Sequence, residues 1–254
     1  MHGEIAGLVQ EMGPDVVVRR IGQRDYHIGV LHGQRCVVVL ARIGKVAAAA
    51  TTVTLISEFQ VQEVIFTGLA GAVASHVRVG DVVVAQSLIQ HDLDASPLFP
   101  QYEVPLLGRS HFDADETLSD RLSQCMHDYL QHDFSSSIAP EVREQFNLTA
   151  PAVHRGTIIS GDQFVGDADR VQDLRNALPD ALCVEMEGAA VAQICYEYDV
   201  PFAVLRTISD SADDSASIDF SAFLENVARV YSAGVLHRYL SDDQGSTVAE
   251  LKQA

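Results

Sequence analysis

Short apolar runs recur along the chain, each closed by a turn signal: Val37-Val38-Val39-Leu40, Val64-Ile65-Phe66, Val82-Val83-Val84-Ala85, Thr157-Ile158-Ile159 and Phe202-Ala203-Val204-Leu205. They are β-branched or aromatic-rich and too short for helices, which predicts buried strands. Between them the pattern changes. Lys45 to Phe59 is rich in Ala and Val, Asp115 to Leu130 is amphipathic and Gly188 to Tyr198 is built of small residues, so helices are predicted there and again from about Phe220 to Leu240. Strands alternating with helices predict the α/β class: a single domain whose central β-sheet is flanked by helices on both faces, with ligands beyond the carboxyl ends of strands. Residues 96–112 break the alternation. They hold Pro97, Pro100 and Pro105 with little periodicity, and read as a loop of the kind that serves as a lid or a partner-contact arm. The domain is read as residues 1–240, and residues 241–254 as a polar, acidic tail expected to fray.

Composition narrows the partners. With 17 Lys and Arg against 35 Asp and Glu, the formal net charge is −18. Such a charge repels polyanionic nucleic acid and anionic membrane surfaces, so neither is expected as a partner. No apolar run approaches the roughly 20 residues that a membrane span requires. Cys36, Cys125, Cys183 and Cys195 lie far apart with no CxxC pair, which predicts reduced thiols and a cytoplasmic location. No basic segment followed by an apolar one opens the chain, so no signal peptide is expected.

Two acids flank a methionine in Val184-Glu185-Met186-Glu187-Gly188, at the end of an apolar run and just ahead of the small-residue helix. Strand alternation predicts that Glu185 and Glu187 share one face. Carboxylates in an apolar stretch are costly unless paired or used, so they mark either a ligand site or a structural ion pair, for instance with Arg206, and residue chemistry balances the two. Arg206-Thr207-Ile208-Ser209-Asp210 puts an acid just past a strand end, as a general acid or as the N-cap of the next turn; on these residues alone the cap is the stronger reading. The segments Arg42-Ile43-Gly44-Lys45, Thr67-Gly68-Leu69-Ala70-Gly71 and Ser160-Gly161-Asp162-Gln163-Phe164 read as glycine-containing turns after strands, where backbone approaches a ligand. None completes a phosphate loop or a dinucleotide fingerprint. His91-Asp92-Leu93-Asp94 is too crowded for a metal site and no second His/Cys cluster answers it, so no metal is expected and His91 reads as a hydrogen-bonded structural residue.

Taken in order, Ile43-Gly44-Lys45, Thr67 to Gly71, Gly80-Asp81, Ser160 to Phe164, Val184 to Glu187 and Arg206 to Asp210 resemble the methylthioadenosine/S-adenosylhomocysteine nucleosidases, and the match covers most of the chain. Several of these motifs are shared with the wider nucleoside phosphorylase superfamily; their conjunction is specific. The resemblance implies a mixed sheet, a homodimer, no cofactor, a small-molecule nucleoside substrate, and hydrolysis to adenine and a 5-thioribose sugar. It implies that Asp210 is the general acid toward adenine N7, oriented by Ser209. Glu187 would bind the ribose hydroxyls, and Glu4 would activate water that Arg206 helps to hold. Phe164 would stack on the purine, the backbone of Phe164 and Val165 would read its edge, and Met186 would pack against the sugar. Glu185 belongs to the same motif and is counted with the substrate-binding residues. Leu69 would form the pocket floor, and Ile43, Met1 and Phe220 would wall the 5'-alkylthio pocket. The loop from Ser96 to Pro105 would reach the neighbouring subunit's site.

Three positions depart from the pattern. Arg42 replaces a glycine, and its side chain is expected to extend outward. Leu69 stands where other members have Ser or Val. Members also carry a short buried strand ahead of the Met aligned with Met1, so either the true start lies upstream or a sheet edge beside Glu4 is left unpaired. The rival readings are a phosphorolytic enzyme, a hydrolase of another purine nucleoside such as a futalosine-type substrate, and a non-catalytic nucleoside-binding protein.

Overall fold

The structure, a computed structural model, describes residues 2–210 and 220–241; for residues 2–4 and 220 it describes the backbone alone. Helix α1 (His2–Glu11) leads into three antiparallel strands, β1 (Val17–Ile21), β2 (Arg24–Leu31) and β3 (Gln34–Val38). Their turns are two residues long, Gly22-Gln23 (φ 54° and 63°) and His32-Gly33 (φ 50° and 88°). Positive φ at both central positions matches the strand twist, which is why such tight turns close hairpins.

Helix α2 (Lys45–Phe59) occupies the predicted span, followed by β4 (Val64–Ala72), β5 (Val82–Gln90) and β6 (His111–Asp113). Helix α3 (Glu116–His132) starts at the cap Asp115, whose carboxylate accepts the Leu118 amide at 2.9 Å. Short helices α4 (Phe134–Ser137) and α5 (Pro140–Gln145) precede β7 (Val153–Ser160), α6 (Ala168–Ala177), β8 (Ala181–Glu185), α7 (Gly188–Glu197) and β9 (Phe202–Asp210). The last helix runs as α8 (Phe220–Phe223), a π-helical turn (Leu224–Ala228) and α9 (Arg229–Ser241).

The main sheet has the order β6-β5-β7-β8-β4-β9, and β5 also pairs with β9, so the sheet rolls closed. It is mixed: β4 with β9, β5 with β7 and β7 with β8 are parallel, whereas β4 with β8 and β5 with β9 are antiparallel. One face packs on the small residues of α7, with Ala189, Ala192 and Cys195 fully buried; the other packs on α3 and α9 through Met126, Tyr129, Tyr231 and Val235. A side chain at Gly234 would collide with the Tyr129 ring, so glycine is what lets α9 approach α3 this closely. The α/β class, with a mixed central sheet flanked by helices, is therefore as expected.

Several local expectations need correction. Residues 67–71 are part of β4 and not a turn after it, because their backbone pairs with β9 up to the bulge at Ala70/Gly71. Strand β3 begins before the Val37 run and ends at Val38. Asp210 is the last residue of β9 and does not lie past it. The hairpin β1–β2 is absent from the apolar pattern because β1 is almost wholly exposed.

Among the described residues, the other edge of β4, away from β9, pairs with β8 at Gly71 and Ala72 alone. Residues Ile65 to Ala70 line a cavity of about 1210 Å³ together with residues 34–43.

Candidate active site

The cavity reaches the carboxyl ends of β8 and β9, where the chemistry-bearing residues converge. Ser209, Asp210, Glu187 and Arg206 line it with Phe164 and Val165, and Ile43, Leu69, Met186 and Glu185 extend its wall.

Glu185 and Arg206 form its buried foundation. Glu185 Oε2 lies 2.5 Å from Arg206 Nη2 and 3.1 Å from Arg206 Nε, with the two side chains 2% and 1% exposed. The carboxylate also accepts the amides of Glu187 at 3.1 Å and Gly188 at 2.9 Å, and the Ser160 hydroxyl. Ser160 Oγ in turn accepts the Ala189 amide at 2.7 Å. The first amides of α7 thus find partners, and the negative charge sits where the helix dipole favours it. The Arg206 guanidinium stacks over Phe66 at 4.1 Å, and a Cβ at Gly68 would collide with it. Of the two readings the sequence left balanced, the ion pair is what Glu185 makes, so its carboxylate reaches the pocket through the residues it holds.

Glu187 does not share a strand face with Glu185. The strand ends at Glu185, and Glu187 is the cap residue of α7 with φ −137° and ψ −40°. This turn swings its side chain toward α2, where Oε1 accepts the Gly44 amide at 2.8 Å. On β9 the Ser209 hydroxyl donates to Asp210 Oδ2 at 2.7 Å, and both residues are half-buried. Phe164 is 68% exposed on the loop after β7, while its neighbour Val165 is buried against Val171 and Ile159. Ile43 is 71% exposed. Met1 lies outside the described residues, as do the side chains of Glu4, on α1, and Phe220, on α8.

Arg42 adopts φ 68°, a conformation in which a glycine at this position would be unstrained. Its guanidinium donates to the Gln23 carbonyl on the hairpin turn, outward as expected. His91 is buried as a structural residue, yet neither ring nitrogen has a hydrogen-bond partner among the described residues, contrary to expectation. Burial drives its pKa below the usual histidine value, against the pull of Asp92. The thiols are poor nucleophile candidates: burial pushes Cys195 up to about 12 and Cys183 higher still, where the Glu185 charge adds to the effect.

One cluster escaped the sequence reading. Lys45 Nζ lies 2.5 Å from Asp92 Oδ1, the Asp162 amide donates to Asp92 Oδ2 at 2.8 Å, and the Lys45 amide donates to Asp162 Oδ1 at 2.8 Å. Its members were visible only as parts of three separate motifs. The sole signal was that each sits at a turn beside a strand or helix end.

A rolled mixed sheet with an acid at the end of β9 and a carboxylate capping the helix after β8 defines a class, and the family model of the phosphorylase superfamily matches residues 1–241. Within it, the chain is 36% identical over 204 residues to the 5'-methylthioadenosine/S-adenosylhomocysteine nucleosidase of Staphylococcus aureus (strain bovine RF122 / ET3-1), covering 80% of each. It is similar to the Neisseria meningitidis nucleosidase solved with methylthio-immucillin-A, at TM-score 0.80 and 33% identity, covering 95% of this chain and 96% of that one. It is also similar to a structure described as a futalosine hydrolase mutant of Helicobacter pylori, at TM-score 0.81 and 32% identity, covering 95% and 96%. The chain belongs to the methylthioadenosine/S-adenosylhomocysteine nucleosidase family of that superfamily.

Proposed function

We propose that this protein hydrolyses the N-glycosidic bond of 5'-methylthioadenosine and S-adenosylhomocysteine, giving adenine and a 5-thioribose sugar. The carrying observation is the Ser209–Asp210 pair at 2.7 Å on the wall of a cavity that also holds Glu187 and Phe164. Adenine leaves poorly as an anion and well when protonated, so a carboxylic acid at N7 lowers the barrier to breaking C1'–N9. Asp210 supplies that proton, and the Ser209 hydroxyl fixes the carboxyl group in one rotamer. Glu187 holds the ribose hydroxyls and opposes the positive charge developing at C1'. Phe164 stacks on the purine, the Phe164 and Val165 backbone reads its edge, and Met186 packs against the sugar. Leu69 floors the pocket, while Ile43, Met1 and Phe220 enclose the 5' substituent. Glu4 activates the water that attacks C1', and Arg206, ion-paired with Glu185, helps to hold that water.

The phosphorolytic alternative needs cations at C1'. Arg206 is ion-paired with Glu185 and Arg42 is turned to Gln23, which favours water over phosphate as the nucleophile. The futalosine-type alternative has a specific basis in the Helicobacter pylori likeness. The decisive assay follows adenine release from 5'-methylthioadenosine with and without phosphate. Phosphate-independent release is expected; release only with phosphate makes the protein a phosphorylase, and preferential turnover of futalosine moves it to the second reading.

The proposal extends to a cytoplasmic homodimer. Leu98 and Leu106 on the proline-rich loop are 83% and 91% exposed, and Val46 at the start of α2 is 82% exposed; large apolar side chains left this open to water support a covering second copy. Light scattering at micromolar concentration tests it.

A further inference from the structure

Three turns that are far apart in sequence meet through the Lys45, Asp92 and Asp162 contacts. Asp92 follows β5, Asp162 follows β7 and Lys45 opens α2. The cap residue of α2, Gly44, has no side chain to cap the helix, so its first amides need acceptors from elsewhere. Asp162 takes the Lys45 amide and Glu187 takes the Gly44 amide, each at 2.8 Å. One helix terminus therefore holds both the carboxylate assigned to the ribose and the carboxylate that begins the purine loop. Asp92 completes the ring by gripping the Lys45 ammonium and the Asp162 amide at once.

The purine loop has few other restraints. Residues 161–167 belong to no helix or strand and Phe164 is exposed; among the described residues the loop is otherwise anchored by the Gly161 amide on the Glu185 carbonyl at 3.1 Å, by the buried Val165, and at its end by Asp167, which accepts the Arg170 and Val171 amides at 2.9 and 3.0 Å as the cap of α6. We propose that Lys45, Asp92 and Asp162 are positioning residues, a polar clip that fixes the purine loop against the ribose-binding wall and so sets nucleoside affinity. This rests on the nucleosidase reading of the site. The Lys45 ammonium and the Asp162 amide outweigh burial and keep Asp92 below the usual carboxylate range.

If the clip acts by keeping the loop in its binding conformation, loosening it lowers the competent fraction. A fall to about one tenth raises the apparent dissociation constant about tenfold and leaves turnover of bound substrate unchanged. Asp92→Asn and Lys45→Met are each expected to raise KM for 5'-methylthioadenosine about tenfold with kcat within about twofold. Together they should be no worse than either alone, and Lys45→Arg should recover most of the affinity. Amides of residues 163–165 in the ligand-free variants should exchange with deuterium faster than in the wild type, with β5 and β7 unchanged. Unchanged KM and unchanged exchange at 163–165 would overturn the proposal, as would an equal loss of protection throughout β5 and β7. A wild-type protein that releases no adenine would refute the nucleosidase reading; the exchange measurement, which needs no substrate, still decides the clip.

Discussion

Arg206 and Glu185 make their ion pair at 2.5 Å with both side chains all but excluded from solvent, in the wall of the cavity. Such a pair gains little over apolar packing, but removing one partner strands the other charge in a low-dielectric interior. Glu185→Gln removes the charge and turns one of two acceptor oxygens into an NH2 donor, which then faces either Arg206 and the Glu187 amide or the Ser160 hydroxyl and the Gly188 amide. It is expected to cost about 3–5 kcal/mol in urea unfolding. A cost below about 1 kcal/mol means that the pair is not what organises this end of β8.

The Ser209–Asp210 contact predicts a separation of binding from chemistry. Asp210→Asn keeps the shape of the side chain and loses the transferable proton, so kcat should fall by at least about a hundredfold while KM moves only a few-fold. Adenine release measured in single turnover reports the chemical step. Near-normal turnover would place the acid elsewhere.

His91 predicts a pH dependence of stability. Its folded pKa lies below the ordinary value of 6.5, first because burial disfavours the charged ring. The unfolded chain then binds more protons than the native state between the two values. Stability is full above about pH 6.5, falls as pH drops below it by up to about 1.4 kcal/mol per unit, and levels off below the folded value. His91→Asn lacks this component. Urea unfolding at pH 7.5, 6.5 and 5.5 should give the wild type a steeper decline than the variant; parallel declines would show that His91 charges freely in place.

The open edge of β4 predicts where exchange is fast. In the 254-residue chain, those amides between Ile65 and Ala70 that point away from β9 should exchange more readily than those bonded to it. Equal protection of the amides on both edges would mean that the Ile65 to Ala70 edge is covered.

Periodicity carried much of the architecture because the main-sheet strands are buried and the helices beside them have distinct composition. The limits of α2 agree with prediction, and α7 ends one residue early, since each opens after a glycine-bearing turn or a chain reversal that sequence marks. The exposed, arginine-bearing β1 and the polar α6 have no comparable pattern. In both, stability comes from neighbours and not from a continuous apolar face.

For the site, the motifs named the residues but not their partners. Sequence alone marked Glu185, Glu187 and Arg206 as costly charges in apolar surroundings, and it set Ser209 beside Asp210. It did not separate the roles of the two glutamates, because that depends on the backbone turning at Met186. That turn leaves Glu185 facing Arg206, 21 positions away, and carries Glu187 to Gly44, 143 positions away. The link from Lys45 to Asp162 spans 117 positions. Composition and local spacing determine which groups require a partner, since desolvation acts residue by residue. Which partner each group finds is decided only when strand order brings distant turns to one end of the sheet, because hydrogen bonds and ion pairs form over a few ångströms in space whatever the separation along the chain.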